Sequence, residues 1–385
     1  MKTAYLKDLM VDWRQDFHQH PELGFNEHRT CARVAELLSG FGLDVHTGLG
    51  GTGVVGVLQR GNGTRAIGLR ADMDALPILE ANDFSYKSKQ QGVMHACGHD
   101  GHTTMLLGAA KHLATKGDFN GRIVFIFQPN EEHGLGADAM IKDGLFDRFD
   151  VDDVYGMHNM PGMETATFAS RAGSMTASES LFEIEITAKG GHAALPHMGV
   201  DAILVGSQIV GALQSIVSRK LNPGLNGVVS VTEFITDGKR NVLPGKATLK
   251  GDARALSPQI NQAIETNMRQ LVEGICLAHD VSATVKYDTL FPPTINAQSA
   301  KDTAMQVARS IVDDSAVDGG CEAKLFSEDF AHMAAARPGC FILMGNGTKG
   351  ANARALHSAD YDFNDEGLVP GSSFWVALAE QELRK

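Results

Sequence analysis

The stretch "GRIVFIFQPNEE", residues 121–132, is an apolar run that ends in a Pro-Asn turn and two adjacent carboxylates. A short, nearly continuous apolar run bounded by turn residues predicts a buried strand, the kind found in sheets covered on both faces. The same pattern repeats outward from it. Upstream, "TTMLLGAAKHLATK" (103–116) predicts a helix, and "GTGVVGVLQRG" (51–61) and "TRAIGLRADMDALP" (64–77) predict strands. Downstream, "GADAMIKDGLF" (136–146) predicts a helix, and "VDDVYGMHNMP" (151–161) a strand that ends near a histidine. Strand, helix, strand is the rhythm of an α/β domain with a largely parallel central sheet flanked by helices. Asp72, Glu131 and His158 each follow an apolar strand. In open α/β sheets ligands bind beyond the carboxyl ends of the strands, so these distant residues are expected to line one pocket.

The pattern changes near residue 177. "LFEIEITAKG" (181–190) alternates apolar and polar residues, as a strand with one wet face does. A long amphipathic helix (201–219), two alternating strands (227–238 and 246–256), a second long helix (258–279) and a last strand (281–293) follow. That order predicts an α+β, ferredoxin-like domain at 177–290, inserted into an α/β domain formed by 1–176 and 291–385. The N-terminus reads as an amphipathic helix with Leu6, Leu9, Met10, Trp13 and Phe17 on one face, followed by a helix over 27–39.

Bulk properties narrow the function classes. A length of 385 residues favours two domains. A formal net charge of -12 argues against general affinity for nucleic acid or anionic membrane. Five widely spaced cysteines, an odd number without CxxC, fit a reducing compartment. With neither a signal-peptide core nor an uninterrupted apolar run of membrane length, a cytoplasmic location is expected.

The 15 histidines cluster, most densely in "MHACGHDGHTT" (94–104). A lone histidine there would be an ordinary hydrogen-bonded side chain, and a lone Cys97 a small buried hydrophobe. Together, a thiolate and an imidazole two residues apart before a helix can converge on one cation, and the helix N-terminus favours the thiolate. Metal sites need more ligands than that. Glu131 and Glu132 form an adjacent carboxylate pair that repels unless a cation or a proton intervenes. His158 stands at a strand end and His357 in the late loop "ALHSADYDFNDEG" (355–367). Cys97, His99, Glu132, His158 and His357 exceed one tetrahedral site and suit two metals with a shared ligand, which leaves Glu131 free as a base.

"HPELGFNE", "LRADMDALPI", "HACGHDGHT", "QPNEE", "GMHNMP", "GGHAALPH", "NVLPGKATLKGDAR", "SEDFA" and "LHSADYDFND" occur in this order over residues 20–366. The chain thereby resembles the aminoacylase and carboxypeptidase superfamily of dinuclear metallohydrolases. It is most similar to the branch with hippurate hydrolase, N-acyl-amino-acid amidohydrolases and indole-acetyl-amino-acid hydrolases. The resemblance implies a metallopeptidase-like catalytic domain with a lid or dimerisation domain. It assigns the five metal ligands named above, with Cys97 in the place of a bridging carboxylate, and Glu131 as general base. Asp74 orients a ligand, and Asp72 stands where other branches have a histidine ligand, so it is left out of the metal set. His192 polarises the scissile carbonyl, reaching across from a dimer mate in some arrangements. Asn241 and Arg254, on neighbouring predicted strands, hold the substrate carboxylate, a task suited to a bidentate guanidinium. His95, His102 and His197 are by default structural or stand one layer behind the ligands.

The implied activity is metal-dependent hydrolysis of N-acyl amino acids to a carboxylic acid and an amino acid. It uses two divalent ions, zinc or manganese first and cobalt or nickel next, in a homodimer or higher homo-oligomer formed through the lid domain. A dipeptidase, a carboxypeptidase or an N-acetyl-diaminopimelate deacetylase would share the reaction centre. A non-catalytic metal-binding protein would have no use for Glu131 and His192, and structural zinc sites are closed by four ligands without a spare base.

Overall fold

A computed structural model describes residues 1–384. The chain forms two compact units, one of Met1–Met175, Thr294–Glu322 and Asp329 onward, the other of Thr176–Pro293 and Ala323–Glu328. The short segment Ala323–Glu328 joins the second unit by pairing: Lys324 bridges Thr176, and the Phe326 carbonyl accepts the Ala177 amide at 3.1 Å. Pairing over so long a sequence distance leaves no periodic trace in the sequence.

The first unit is built on an eight-stranded sheet. Across it the strands run Asp44–Leu49, Gly53–Arg60, Gly121–Gln128, Ala66–Asp72, Asp153–Pro161, Gly339–Gly347, Phe168–Ala169 and Val317–Asp318. The sheet is mixed. The strand Ala66–Asp72 is parallel to both of its neighbours, and Asp153–Pro161 is parallel to Gly339–Gly347. The first strand across the sheet is antiparallel to the second, and the second to the third. The reason is local: only residues 50–52 separate Leu49 from Gly53, enough for a hairpin and too few for a crossover. The half-exposed first strand, "DVHTGL", has no clear alternation and gives little sequence signal.

The parallel strands set the site. Asp72 pairs with Gln128 in register, and Arg70 pairs with Gly156. Asp72, the Pro129–Glu132 turn and His158 therefore emerge at one edge. The helix His99–Lys116 lies against strand Ala66–Asp72 and between the helices Lys7–Gln19 and Leu368–Glu382. It is buried continuously from His99 to Ala110, which explains its lack of a polar face.

The second unit holds four antiparallel strands in the order Gly227–Thr236, Lys246–Ala255, Ser178–Thr187 and Ser282–Phe291. With helices Ala202–Ser215 and Pro258–Ala278 the chain order is βαββαβ, the ferredoxin-like arrangement. Phe182, Ile184, Ile186, Leu249 and Ala253 pack inward against Val205, Ile209, Ile264 and Met268. Asp201 caps the first helix on the Ile203 amide and Ser257 caps the second on the Ile260 amide, with Pro258 opening the turn. Residues 202–220 are long and apolar enough to cross a membrane, yet Val205, Ile209, Leu213 and Ile216 face this core.

Candidate metal centre

The predicted loop before the buried helix is shorter than its sequence suggests. The helix starts at His99, so His99 and His102 stand in its first turns and only Cys97 and Gly98 precede it. Gly98 has φ of 96°, and a Cβ there would lie 2.3 Å from Asn159 Oδ1 and 2.7 Å from the Tyr361 hydroxyl. Only glycine meets both the left-handed backbone and the close approach, so the middle residue of Cys-Gly-His is fixed by packing.

Cys97 and His99 meet their distant partners. Cys97 Sγ lies 3.3 Å from His158 Nε2. His158 Nδ1 is 2.6 Å from the Asn159 carbonyl, which places the proton on Nδ1 and leaves the Nε2 lone pair facing the thiol. Burial, with His102 close by, holds the His158 pKa well below the ordinary range, so the ring is neutral. His99 Nδ1 is 3.3 Å from Asp74 Oδ1, which turns its Nε2 into the site. That nitrogen lies 3.9 Å from Glu132 Oε1 and 4.0 Å from Glu131 Oε2. His357 reaches Glu132 Oε2 at 3.4 Å, and its amide donates to the Ala96 carbonyl at 2.8 Å, which ties the late loop beside Cys97. His357 has φ of 63°, a conformation uncommon outside glycine.

These atoms form two overlapping triads, Cys97–His99–His158 and Cys97–Glu132–His357, in each of which all ligand atoms lie within 4.8 Å of one another. His99, Glu131 and Glu132 form a third such group. The fit to a cation rests on two orphaned atoms. His99 Nε2 and Glu132 Oε1 are buried with no hydrogen-bond partner among the described residues, and they face each other at 3.9 Å. A divalent cation held at this site would supply the partner that each of these lone pairs lacks. Without a cation, protons fill that role. Burial lowers the His99 pKa, but Asp72, Asp74 and Glu132 outweigh it and push it to about 10. Burial raises Glu132, against His99 and with Asp74, to about 7.

Asp72 is spoken for. Its Oδ1 takes His102 Nδ1 at 2.6 Å and its Oδ2 takes Arg70 Nη1 at 2.8 Å. His102 in turn has its Nε2 2.9 Å from the Asn159 amide nitrogen. Arg70 continues to Gln128 Oε1 at 2.8 Å and Asp329 Oδ1 at 3.0 Å, all fully buried. Asp74 also accepts the Glu132 amide at 3.1 Å. The sequence reading places His102 behind the ligands or in a structural role and gives Arg70, Asn159 and Asp329 no part. The available signal was "RAD" inside an apolar strand, since a charge in such a run is retained only with partners.

The second unit carries the other three expected residues. His192 is exposed, and its Nδ1 accepts the Ala194 amide at 3.0 Å, so its Nε2–H faces outward. It pairs with Val242, and the Asn241 carbonyl accepts the Ala193 amide at 3.0 Å. Asn241 lies in the turn before Val242–Leu243 rather than on a long strand: Lys239 and Val242 close that turn with reciprocal bonds. Arg254 sits within strand Lys246–Ala255, with Nε on Asp252, Nη1 on Ser327 and Nη2 on Glu179, each at 2.8 Å.

A strand-end cluster of a thiol, imidazoles and paired carboxylates on a helix-flanked sheet defines a metallopeptidase-like hydrolase of α/β architecture. Residues 68–381 match the model of peptidase family M20/M25/M40. The chain belongs to this family. It is 41% identical over 371 residues to the hippurate hydrolase of Campylobacter jejuni, covering 96% of each chain. It is 41% identical over 296 residues to an N-acyl-L-amino acid amidohydrolase of Geobacillus stearothermophilus, covering 76% of this chain and 79% of that one. Its structure matches that of the Bacillus subtilis YXEP protein, a dinuclear metal-binding peptidase of the M20 family, with a TM-score of 0.86 at 29% identity over 98% of this chain and 99% of that one.

Proposed function

We infer that this protein is a metal-dependent amidohydrolase that cleaves N-acyl amino acids to a carboxylic acid and a free amino acid. The observation that carries the reading is the pair of triads sharing Cys97, with the buried carboxylate of Glu131 beside them. The named activities of the two 41% identical relatives support it.

Cys97, His99, Glu132, His158 and His357 would hold two divalent ions. Zinc suits thiolate and imidazole, and manganese, cobalt or nickel are compatible with the mixed set. The ions, when bound, supply an acidified water and a polarised carbonyl. Glu131 accepts the proton of the attacking water and delivers it to the leaving amide nitrogen. Asp74 holds His99 by its Nδ1 and the Glu132 amide by its other oxygen, orienting one ligand from each side. His192 presents Nε2–H to the developing oxyanion. Arg254 and Asn241 hold the carboxylate of the amino-acid half, which fixes the amide against the base. For Arg254 that carboxylate competes with Glu179, which now occupies Nη2.

The test is elemental analysis beside a hydrolysis screen of hippurate, N-acetyl amino acids, indole-acetyl amino acids and dipeptides, before and after chelation. About two ions per chain and chelator-sensitive release of amino acid from one acyl class are expected. Failure to retain metal after reconstitution with zinc, manganese, cobalt or nickel would overturn the assignment.

A further inference from the structure

The turn that carries Glu131 and Glu132 is held by residues with no part in the chemistry above. Asn130, which enters it, has φ of 48°, a left-handed conformation that asparagine tolerates better than most residues. Its amide donates to Glu27 Oε1 at 2.8 Å, and Glu27 Oε2 accepts the Thr52 hydroxyl at 2.5 Å. Glu27 is fully buried. Burial pushes its carboxyl up, with Asp74 adding to the rise, so this is a costly place for an acid with no cationic partner among the described residues. On the other side, Gly24 lies so close that a Cβ there would fall 1.8 Å from Asn130 Oδ1. That oxygen is also 2.7 Å from His133 Nδ1, and the Gly136 amide closes on the Asn130 carbonyl at 3.2 Å. The segment "GFNE" (24–27) thus grips Asn130 at its side chain and its amide, while Asp74 grips the Glu132 amide beyond.

We propose that Glu27 is a positioning residue: through the Asn130 amide it fixes the left-handed residue that aims Glu131 and Glu132, and so sets metal affinity and turnover without touching ion or substrate. This rests on the reading of Glu131 as base and Glu132 as ligand. Groups one layer behind metal ligands commonly control affinity or activity by about 10–100-fold.

The experiment titrates metal-free protein with zinc against a competing chelating dye, and measures kcat and KM on an N-acyl amino acid that the wild type cleaves. Melting of the metal-free chains is followed in parallel. Glu27→Gln keeps a carbonyl acceptor for the Asn130 amide and is expected to stay near wild type. Glu27→Ala is expected to lose about 10–100-fold in zinc affinity and in kcat, with KM little changed. Thr52→Val disturbs the same buried carboxyl from its other oxygen, and is expected to lower the melting temperature while leaving zinc affinity intact. Should Glu27→Ala fail to fold, Gly24→Ala displaces Asn130 from the opposite side and is expected to show the same loss. A folded Glu27→Ala chain that binds zinc like wild type overturns the proposal, as does Glu27→Gln losing as much as Glu27→Ala. A wild type that cleaves no amide overturns the functional reading instead, and the zinc titration still decides the role of Glu27.

Discussion

Glu131 and Glu132 are neighbours in sequence with opposite tasks, and their partners separate them. Glu132 has one oxygen facing His99 Nε2 at 3.9 Å and the other facing His357 at 3.4 Å, so both of its oxygens are turned toward residues of the ligand set. Glu131 Oε2 lies 4.0 Å from His99 Nε2. Glu131→Gln removes the proton acceptor and keeps the shape. It is expected to retain wild-type metal content and to lose roughly 10²–10⁴-fold in kcat; normal turnover in a metal-replete variant would exclude it as the base. Arg254 makes the complementary case, because its three contacts lie within the second unit and none is a ligand. Arg254→Ala is expected to raise KM for substrates with a free carboxylate and to leave KM for the corresponding carboxamides unchanged; an equal effect on both would remove it from the carboxylate site. At this scale Cys97, His99, Glu131, Glu132 and His158 were legible because each is a chemically costly residue at a predicted strand or helix end. Arg70 and Asn159 were not, because their use depends on side-chain partners that meet only in the folded sheet.

The helix His99–Lys116 shows how elements carry the site. Its start reads as polar, yet His99, Asp100 and His102 are buried, each with a partner from another element. Asp100 receives His18 Nδ1 at 2.8 Å from the first helix, and His18 Nε2 meets Glu80 at 3.1 Å. Arg14, one turn earlier, binds Asp365 at 2.7 Å and Asp362 at 3.0 Å in the loop that follows His357. The amphipathic pattern predicted the first helix, but not that its buried face would carry two cations. Burial alone would lower the pKa of His18; Asp100 and Glu80 outweigh burial and the nearby Arg14, and bring it to about 9. An ordinary histidine near 6.5 in the unfolded chain therefore gains a proton on folding between the two values. The stabilisation is complete below about 6.5 and is lost as pH rises through about 9, and the shift corresponds to roughly 3 kcal/mol. His18→Gln is thus expected to lower the melting temperature strongly at pH 6 and much less at pH 10, as followed by circular dichroism. Equal losses at both values would mean that the ring is held neutral.

At the scale of the whole molecule, the second unit leaves apolar surface uncovered. Leu204 is 52% exposed on the helix Ala202–Ser215, and Ile235 is 52% exposed on Gly227–Thr236, an edge strand of its sheet. Exposed apolar groups beside an open strand edge favour association with a second copy. The switch between buried-strand and alternating patterns near residue 177 falls beside the start of the second unit at Thr176, whereas the pairing of Ala323–Glu328 with that unit and the mixed order of the large sheet leave no such mark, because they depend on which segments neighbour in space. A mass of twice the 41.2 kDa chain is expected by light scattering, and Ile235→Lys is expected to reduce it to one chain. The exposed Nε2–H of His192, on the same unit, would give such a dimer a catalytic meaning that can be measured. If His192 serves the partner's cleft, Glu131→Gln and His192→Ala chains are each inactive alone. After mixing and subunit exchange, mixed dimers contain one cleft with both groups intact, so activity should return to about a quarter of wild type. If His192 serves its own chain, no mixed dimer restores a complete cleft and activity stays at the level of the separate variants. A wild type that runs as a single chain at full activity would exclude the exchange and place His192 beside the metals of its own chain.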